Sequence, residues 1–356
     1  MQLEQILKVA VRGGASDILL KVGSLPRFRH NGKLVSLSDG LEIDQLIMQS
    51  WVSQIMPKNL GPALEEAGSV DFGYNSQINS RFRVSIFKQR GHLAMVMRVI
   101  TNTIRSLEEL QMPKAVQKSV DYKRGLVLVT GATGSGKSTT LAGIIQKINS
   151  TRAVHILTIE DPIEFFYTEN LATINQREIG QDTKDFSTAL RSSLRQDPDI
   201  ILVGELRDKE TTETALMAAE TGHLVFSTLH TKDAVDSLTR LMSYFPPHQH
   251  KSIRMQLAHS LKMVLSQRLV PRADGKGRAA AVEILVANSF VREVVLSGEN
   301  FSSLTDAIKK GSKSYGMQSF DQSLLSMYHS RIISKDQAIS EASSRENMKL
   351  LISGVG

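Results

Sequence analysis

Apolar positions along the chain change their period near residue 125, and that change divides the sequence in two. Leu3, Ile6, Leu7, Ala10 and Val11 recur at helical spacing, and Gly13-Gly14 stop that helix. Residues 18–22 read as a strand. Residues 27–35 predict a hairpin turning at Asn31-Gly32, a dipeptide that supplies the positive φ of a type I′ turn. Residues 41–56 predict a helix, ended by Pro57. Residues 70–74 and 81–87 alternate as half-buried strands do, and 92–100 continue them after a turn at Gly91. Residues 1–100 are therefore expected to form a small α+β domain around a largely antiparallel sheet. Residues 101–118, with Pro113, read as a linker entering a helix.

Beyond it, short continuous apolar runs alternate with amphipathic stretches. The runs are 126–130, 154–159, 200–203 and 224–228. Such runs mark buried strands of a parallel sheet covered by helices on both faces. Residues 234–244 and 248–269 read as helices, 272–277 as a turn, 280–286 as a strand, and the chain from Ser289 as a helical bundle. Residues 119–356 are thus expected to form a second, larger α/β domain.

Composition narrows the class. The 356 residues contain no Cys, which excludes disulfides, Cys-based zinc modules and iron–sulfur clusters. The net charge of +7 suits acidic partners, nucleic acid or a solvated basic surface. Aromatics are only 5 %, and no basic run is interleaved with them, so a nucleic-acid channel with stacking platforms is not expected. Glu4, Lys8 and Arg12 break any signal-peptide pattern at the start. No run reaches the ~18 apolar residues of a membrane-spanning helix, so any membrane role would come through partners.

Gly131-Ala132-Thr133-Gly134-Ser135-Gly136-Lys137-Ser138 matches the phosphate-binding loop pattern in full, with Thr139 following. It lies between an apolar strand and a helix carrying Leu141, Ile144, Ile145 and Ile148. The glycines let successive N–H groups face phosphate oxygens, and the helix adds its positive end. Lys137 is placed for the β- and γ-phosphates and Ser138 for Mg²⁺, so ATP and Mg²⁺ are the expected ligands. A plain turn has no use for that combination.

Hydrolysis also needs carboxylates at neighbouring strand ends. Glu205 follows the apolar run 200–203, with Gly204 where an Asp is usual. Ile159-Glu160-Asp161-Pro162-Ile163-Glu164 is expected to crowd three carboxylates at another strand end, relieved by a cation. Glu164 is the candidate for activating water; Glu160 or Asp161 is placed to hold metal through water. His223 and His230 bracket a further apolar strand, too isolated for zinc, as hydrogen-bonding sensors or ordinary strand-end histidines.

Together these segments stand in the order found in secretion-type ATPases, whose Asp box and His box they resemble. Within that superfamily the chain resembles PilT-type pilus retraction ATPases, a group that includes PilU paralogues. Arg81-Phe82-Arg83-Val84, Arg195-Gln196-Asp197-Pro198-Asp199 and the stretch from Tyr315 to Leu324 carry the likeness over nearly the whole chain. The resemblance implies a PAS-like N-terminal domain, a RecA-like ATPase domain, and a homohexameric ring at the cytoplasmic face of the inner membrane. It implies an inner-membrane platform protein, and a paralogous pilus ATPase, as partners, and no nucleic acid. It also implies that Lys137 and Ser138 bind nucleotide and Mg²⁺, that Glu205 supports Mg²⁺, that Glu164 is the general base, and that His223 and His230 sense the γ-phosphate. Arginines complete such sites; Arg81, Arg83, Arg98, Arg195 and Arg240 are candidates that sequence does not rank. Two departures stand out: Ile18-Leu19 follow Ser16-Asp17 where the family has an apolar residue and His, and Phe290-Val291-Arg292 replaces Ala-Ile-Arg. The second falls in a helix associated with retraction rather than ATP turnover, which leaves an accessory role open.

Overall fold

Alternation in the first hundred residues and continuity after them produce two different sheets. The computed structural model describes residues 2–30, 32–37, 42–78, 80–100 and 103–354. Two units emerge: Met1–Thr103 with Pro162–Phe166, and Ile104–Asp161 with Tyr167–Gly356.

Among the described residues the first unit holds six antiparallel strands: β1 (Asp17–Lys21), β2 (Arg27–His30), β3 (Lys33–Ser36), β4 (Ser69–Asn75), β5 (Arg81–Gln89) and β6 (His92–Ile100), in the order β3-β2-β1-β6-β5-β4. Along β5, Phe82, Val84 and Ile86 are buried, whereas Arg83 is exposed. Helices α1 (Leu3–Arg12) and α2 (Gln45–Ile55) close the apolar face with Leu3, Ile6, Leu7, Met48, Trp51 and Val52. The helix expected over 41–56 starts at Gln45 because Asp44 caps it, accepting from Ile47 N–H at 2.7 Å; Leu41 lies outside the described residues. So does Asn31 of the expected turn, while Gly32 has φ +79°. Sequence reading missed helix α3 (Gly61–Ala67), which has a proline in its first turn.

The second unit holds β7 (Gly125–Thr130), β8 (His155–Glu160), β9 (Thr173–Glu178), β10 (Ile200–Val203), β11 (Leu224–Leu229), β12 (Leu261–Pro271) and β13 (Arg278–Val286), in the order β13-β12-β7-β11-β10-β8-β9. All pairs are parallel except β12–β13. Every residue of β7, β10 and β11 is buried, as a sheet covered on both faces requires. Leu126 and Leu128 join one core, Val127 and Val129 the other. Helix α4 (Lys114–Gln117) lies in the segment expected to be a linker. Leu107, Met112, Val116 and Val120 of that region are buried in the core of this unit, so from Ile104 onward it is part of the packed body; Thr101 and Asn102 lie outside the described residues. Helix α5 (Lys137–Thr151) packs Leu141, Ile144, Ile145 and Ile148 into the same core. Then come α6 (Phe186–Ser193), α7 (Lys209–Glu220), α8 (Ala234–Ser243), α9 (His250–Ser260) and α10 (Ser289–Ser297), with further helices to Ile352.

One expectation fails outright. The helix expected over 248–269 ends at Ser260, and the chain becomes β12 at Leu261. No Gly or Pro marks the switch. The reason is tertiary: β7 would otherwise leave one edge unpaired in a buried sheet, and β12 supplies the partner from Leu261 to Ser266. The polar edge strand β9 and helix α6 were also missed.

Candidate nucleotide site

The carboxyl end of β7 gathers most of the chemistry. Gly131, Gly134 and Gly136 have φ of +144°, +76° and +90°, conformations that disfavour other residues. A Cβ on Gly131 would stand 2.4 Å from the Gln267 carbonyl oxygen, and one on Gly136 2.7 Å from the Gln267 amide nitrogen. The loop can therefore follow this path only without side chains at these points. Ala132, Thr133 and Gly134 are exposed at its tip. Gly136 leads into α5, whose unpaired first N–H groups and dipole favour an anion there. Lys137 is buried, and its Nζ donates to the carbonyls of Gly131 at 2.8 Å and Ala132 at 3.1 Å. The Ser135 hydroxyl is buried with no hydrogen-bond partner among the described residues. Ser138 and Thr139 are half-buried in the first turn of α5. A cavity of about 590 Å³ extends from Gly136, Thr139 and Thr140 to Met112, Arg272 and Arg278.

Glu205 follows β10 and is 8 % exposed. Backbone and side-chain bonds fix its turn: Gly204 N–H donates to Ile159 O at 2.8 Å, Leu206 N–H to Thr228 O at 3.1 Å, and Thr228 Oγ1 to Gly204 O at 2.7 Å. Gly204 stands where an Asp is usual because space is short; a Cβ would meet Ile159 O at 3.2 Å and the Phe186 ring at 3.3 Å. His230, just past β11, places Nε2 3.1 Å from Glu205 Oε2. Burial first, then the charges of Lys137 and Arg207, push the His230 pKa below its ordinary value. The imidazole is thus neutral at pH 7 and donates Nε2–H to the carboxylate. Arg207, which sequence reading passed over, forms an ion pair with Glu205. Its signal was available: it lies two residues after the carboxylate.

Two further groups were missed because their strand was missed or their role depends on register. Gln267, on β12, is 2 % exposed; its Nε2 donates to Ser135 O at 2.8 Å and its Oε1 accepts from Thr140 Oγ1 at 2.8 Å. Glu283, on β13, pairs across Ser266 with the end of β7 at Thr130. Its Oε1 accepts from the Ala234 N–H at the start of α8, at 2.9 Å. Burial is the largest cause that raises its pKa, to about 7.

The other candidates have surroundings of their own. His223 lies at the amino end of β11, where its carbonyl accepts from Gly125 N–H at the start of β7 and its Nδ1 lies 2.9 Å from Ala218 O. The six residues of β11 separate it from His230 by about 20 Å, so the two histidines stand at opposite ends of the strand. The expected crowd of three carboxylates is also absent. Glu160 accepts from Thr158 Oγ1 at 2.7 Å and Gln176 Nε2 at 3.4 Å, and Asp161 is exposed. After the Pro162 turn, Glu164 is exposed on a segment that clusters with the first unit. Among the described residues no three His, Asp or Glu side chains converge as a metal site.

The arginines divide similarly. Arg81 is buried in the first unit, bonds Asn75 Oδ1 at 3.0 Å and lies 4.6 Å from the Phe166 ring centroid. Arg98 donates to Asp17 at 2.9 Å. Burial opposes charge on Asp17, yet bonds from Arg98 and Ser16 outweigh it and hold the carboxyl below its ordinary range. Arg83, opposite Arg98 in the sheet, is exposed. In the second unit Arg195 is exposed after α6, and Arg240 lies 5.1 Å from the Tyr244 ring centroid.

The family described as type II/IV secretion system protein matches residues 2–331. The chain is 41 % identical over 348 residues to the type IV pilus retraction ATPase PilT of Pseudomonas aeruginosa, covering 98 % of this chain and 100 % of that one. It is 37 % identical over 353 residues to the type IV pilus ATPase PilU of the same organism, covering 99 % and 91 %. A crystal structure of the pilus retraction motor PilT with bound ADP superposes with a TM-score of 0.89 at 39 % identity, over 98 % of this chain and 99 % of that one. The chain is a mixed α/β protein with a RecA-like P-loop ATPase domain, and it belongs to the type II/IV secretion ATPases, within them to the PilT-type pilus retraction ATPases.

Proposed function

We propose that this chain is an ATP-hydrolysing motor that drives type IV pilus retraction as a homohexamer. It would work at the cytoplasmic face of the inner membrane, on a platform protein there. No described helix is long and apolar enough to cross a membrane. The observation that carries the reading is the convergence at one sheet edge of a glycine cradle, buried Lys137 and the Glu205–His230 pair. The residues present fit a nucleoside triphosphate: Gly131 and Gly136 let the loop close down on Gln267 where any side chain would collide, and the Ser135 hydroxyl is buried without a hydrogen-bond partner among the described residues.

In this reading Lys137 exchanges its loop carbonyls for the β- and γ-phosphates. Ser138 and Glu205 would hold Mg²⁺, which when bound neutralises phosphate charge. His230 and Arg207 orient the Glu205 carboxylate. Glu164 takes the proton from the attacking water. Arg83, Arg98 and Arg195 remain the arginines from which a neighbouring subunit's contribution would come. Arg81 and Arg240 are already stacked on aromatic rings and serve packing. Hydrolysis would then move the two units relative to each other, with Ile104 onward moving as part of the second.

A second reading, an accessory ATPase beside a principal retraction motor, is favoured by the PilU likeness over 99 % of the chain and by Phe290-Val291-Arg292. The test is live imaging of labelled pili in a deletion strain complemented with wild type or Glu205→Gln. Pili that extend without retracting, rescued only by wild type, support the principal motor. Retraction at normal speed without the gene supports the accessory reading. Full turnover by purified Glu205→Gln would refute the role given to Glu205.

A further inference from the structure

We propose that Gln267 is a positioning residue of the phosphate loop, its amide holding the Ser135–Gly136 peptide so that the Gly136 N–H points into the cradle. The inference rests on the nucleotide reading above. Register brings Gln267 there: Ser266 pairs with Thr130, so the next residue of β12 lies just beyond the end of β7, beneath the loop. The side chain is 2 % exposed and bonded on both sides of its amide. A carbonyl can only accept, so the atom 2.8 Å from Ser135 O is the amide nitrogen. Oε1 then faces Thr140 Oγ1, 2.8 Å away, which donates to it. Thr140 thereby fixes which way the amide is turned.

A trans peptide is planar, with its C=O and the following N–H pointing in opposite directions. Holding Ser135 O toward β12 therefore aims the Gly136 N–H away from β12. That direction is the interior of the loop, where an anion is received. The Gly136 Cβ position would lie 2.7 Å from Nε2, so loop and amide are in direct contact. Without the amide, a buried carbonyl and a buried hydroxyl lose their partners, and the peptide can turn over to find others. Nucleotide then binds only the fraction of molecules with the correct peptide orientation, and the apparent Kd rises by the inverse of that fraction.

The test uses full-length Gln267→Met, Thr140→Val and Thr140→Ser, with a fluorescent ADP analogue, steady-state ATPase kinetics and nucleotide-free melting. Gln267→Met should raise the ADP Kd about tenfold, equivalent to about 1.4 kcal/mol, and lower kcat/KM more than kcat. Thr140→Val should raise Kd about threefold to tenfold, whereas Thr140→Ser, which keeps the hydroxyl, should stay close to wild type. If Gln267→Met fails to fold, the Val and Ser pair at Thr140 decides the matter. A lower melting temperature with unchanged Kd would reduce Gln267 to a packing role and overturn the inference. Wild type that binds ADP while both Gln267→Met and Thr140→Val bind it equally well overturns this inference alone. Wild type that binds no ADP overturns the nucleotide reading and this inference with it.

Discussion

Glu283 offers a test of the structure that does not depend on pili. Its carboxylate is 8 % exposed on β13 and accepts one backbone bond, from Ala234. Burial raises its pKa most, and Asp233 and Asp321 add to the rise; the Ala234 N–H and Arg268 oppose it, leaving about 7 against an ordinary 4.5. Between those values the folded protein keeps a proton that the unfolded chain has released. Stability is therefore fully present below pH ~4.5 and declines as pH rises toward 7, by about 1.4 kcal/mol per pH unit. Over the whole interval the loss is about 3 kcal/mol. Glu283→Gln removes the titration and keeps an oxygen for the Ala234 N–H. Relative to wild type, the variant should gain about 3 kcal/mol between pH 4.5 and 7.5. The single Trp, Trp51, lies in the core of the first unit, so its fluorescence does not report on β13. Differential scanning calorimetry at one protein concentration, across a pH series, follows the second unit. A variant-minus-wild-type difference that stays constant from pH 5 to 8 would refute the argument.

Three other perturbations address the site. Lys137→Ala removes the buried ammonium 2.8 Å from Gly131 O, and should abolish ADP binding in a fluorescence titration; retained affinity would mean phosphate binds elsewhere. His230→Ala should leave ADP affinity within about threefold but lower kcat by about 10- to 100-fold, the usual worth of a hydrogen bond to a charged group. Because the His230 pKa is depressed, any His230-linked loss of wild-type turnover should have its midpoint below the ordinary 6.5; a midpoint above 6.5 that vanishes in His230→Gln would contradict this. Glu164→Gln should lower kcat by ~10²–10⁴ with little change in KM, about 3–5 kcal/mol of barrier, and a drop of less than tenfold would remove Glu164 as the general base.

What could be read from the sequence depended on whether local residues or distant neighbours decide each element. The phosphate loop was legible because glycines, Lys and Ser at fixed spacing carry their own reason for being there, and β7 announces itself as a wholly buried run. β12 was not legible. The helical pattern of α9 passes into Leu261 with no breaker, and only the demand of the β7 edge for a partner makes the chain extend. Losing β12 meant losing Gln267, a polar residue in an apolar run whose use depends on standing one step past Ser266. Glu283 is invisible for the same reason, since its consequence comes from the helix that happens to start against it. The histidines are a different case. His223 and His230 look alike in sequence, one at each end of the same apolar run. Yet a strand parallel to β7 must present its carboxyl end beside the phosphate loop, so chain direction alone puts His230, and not His223, on that side of the sheet. There the sequence held the answer, provided the run was treated as an oriented strand rather than as a spacer between two candidate ligands.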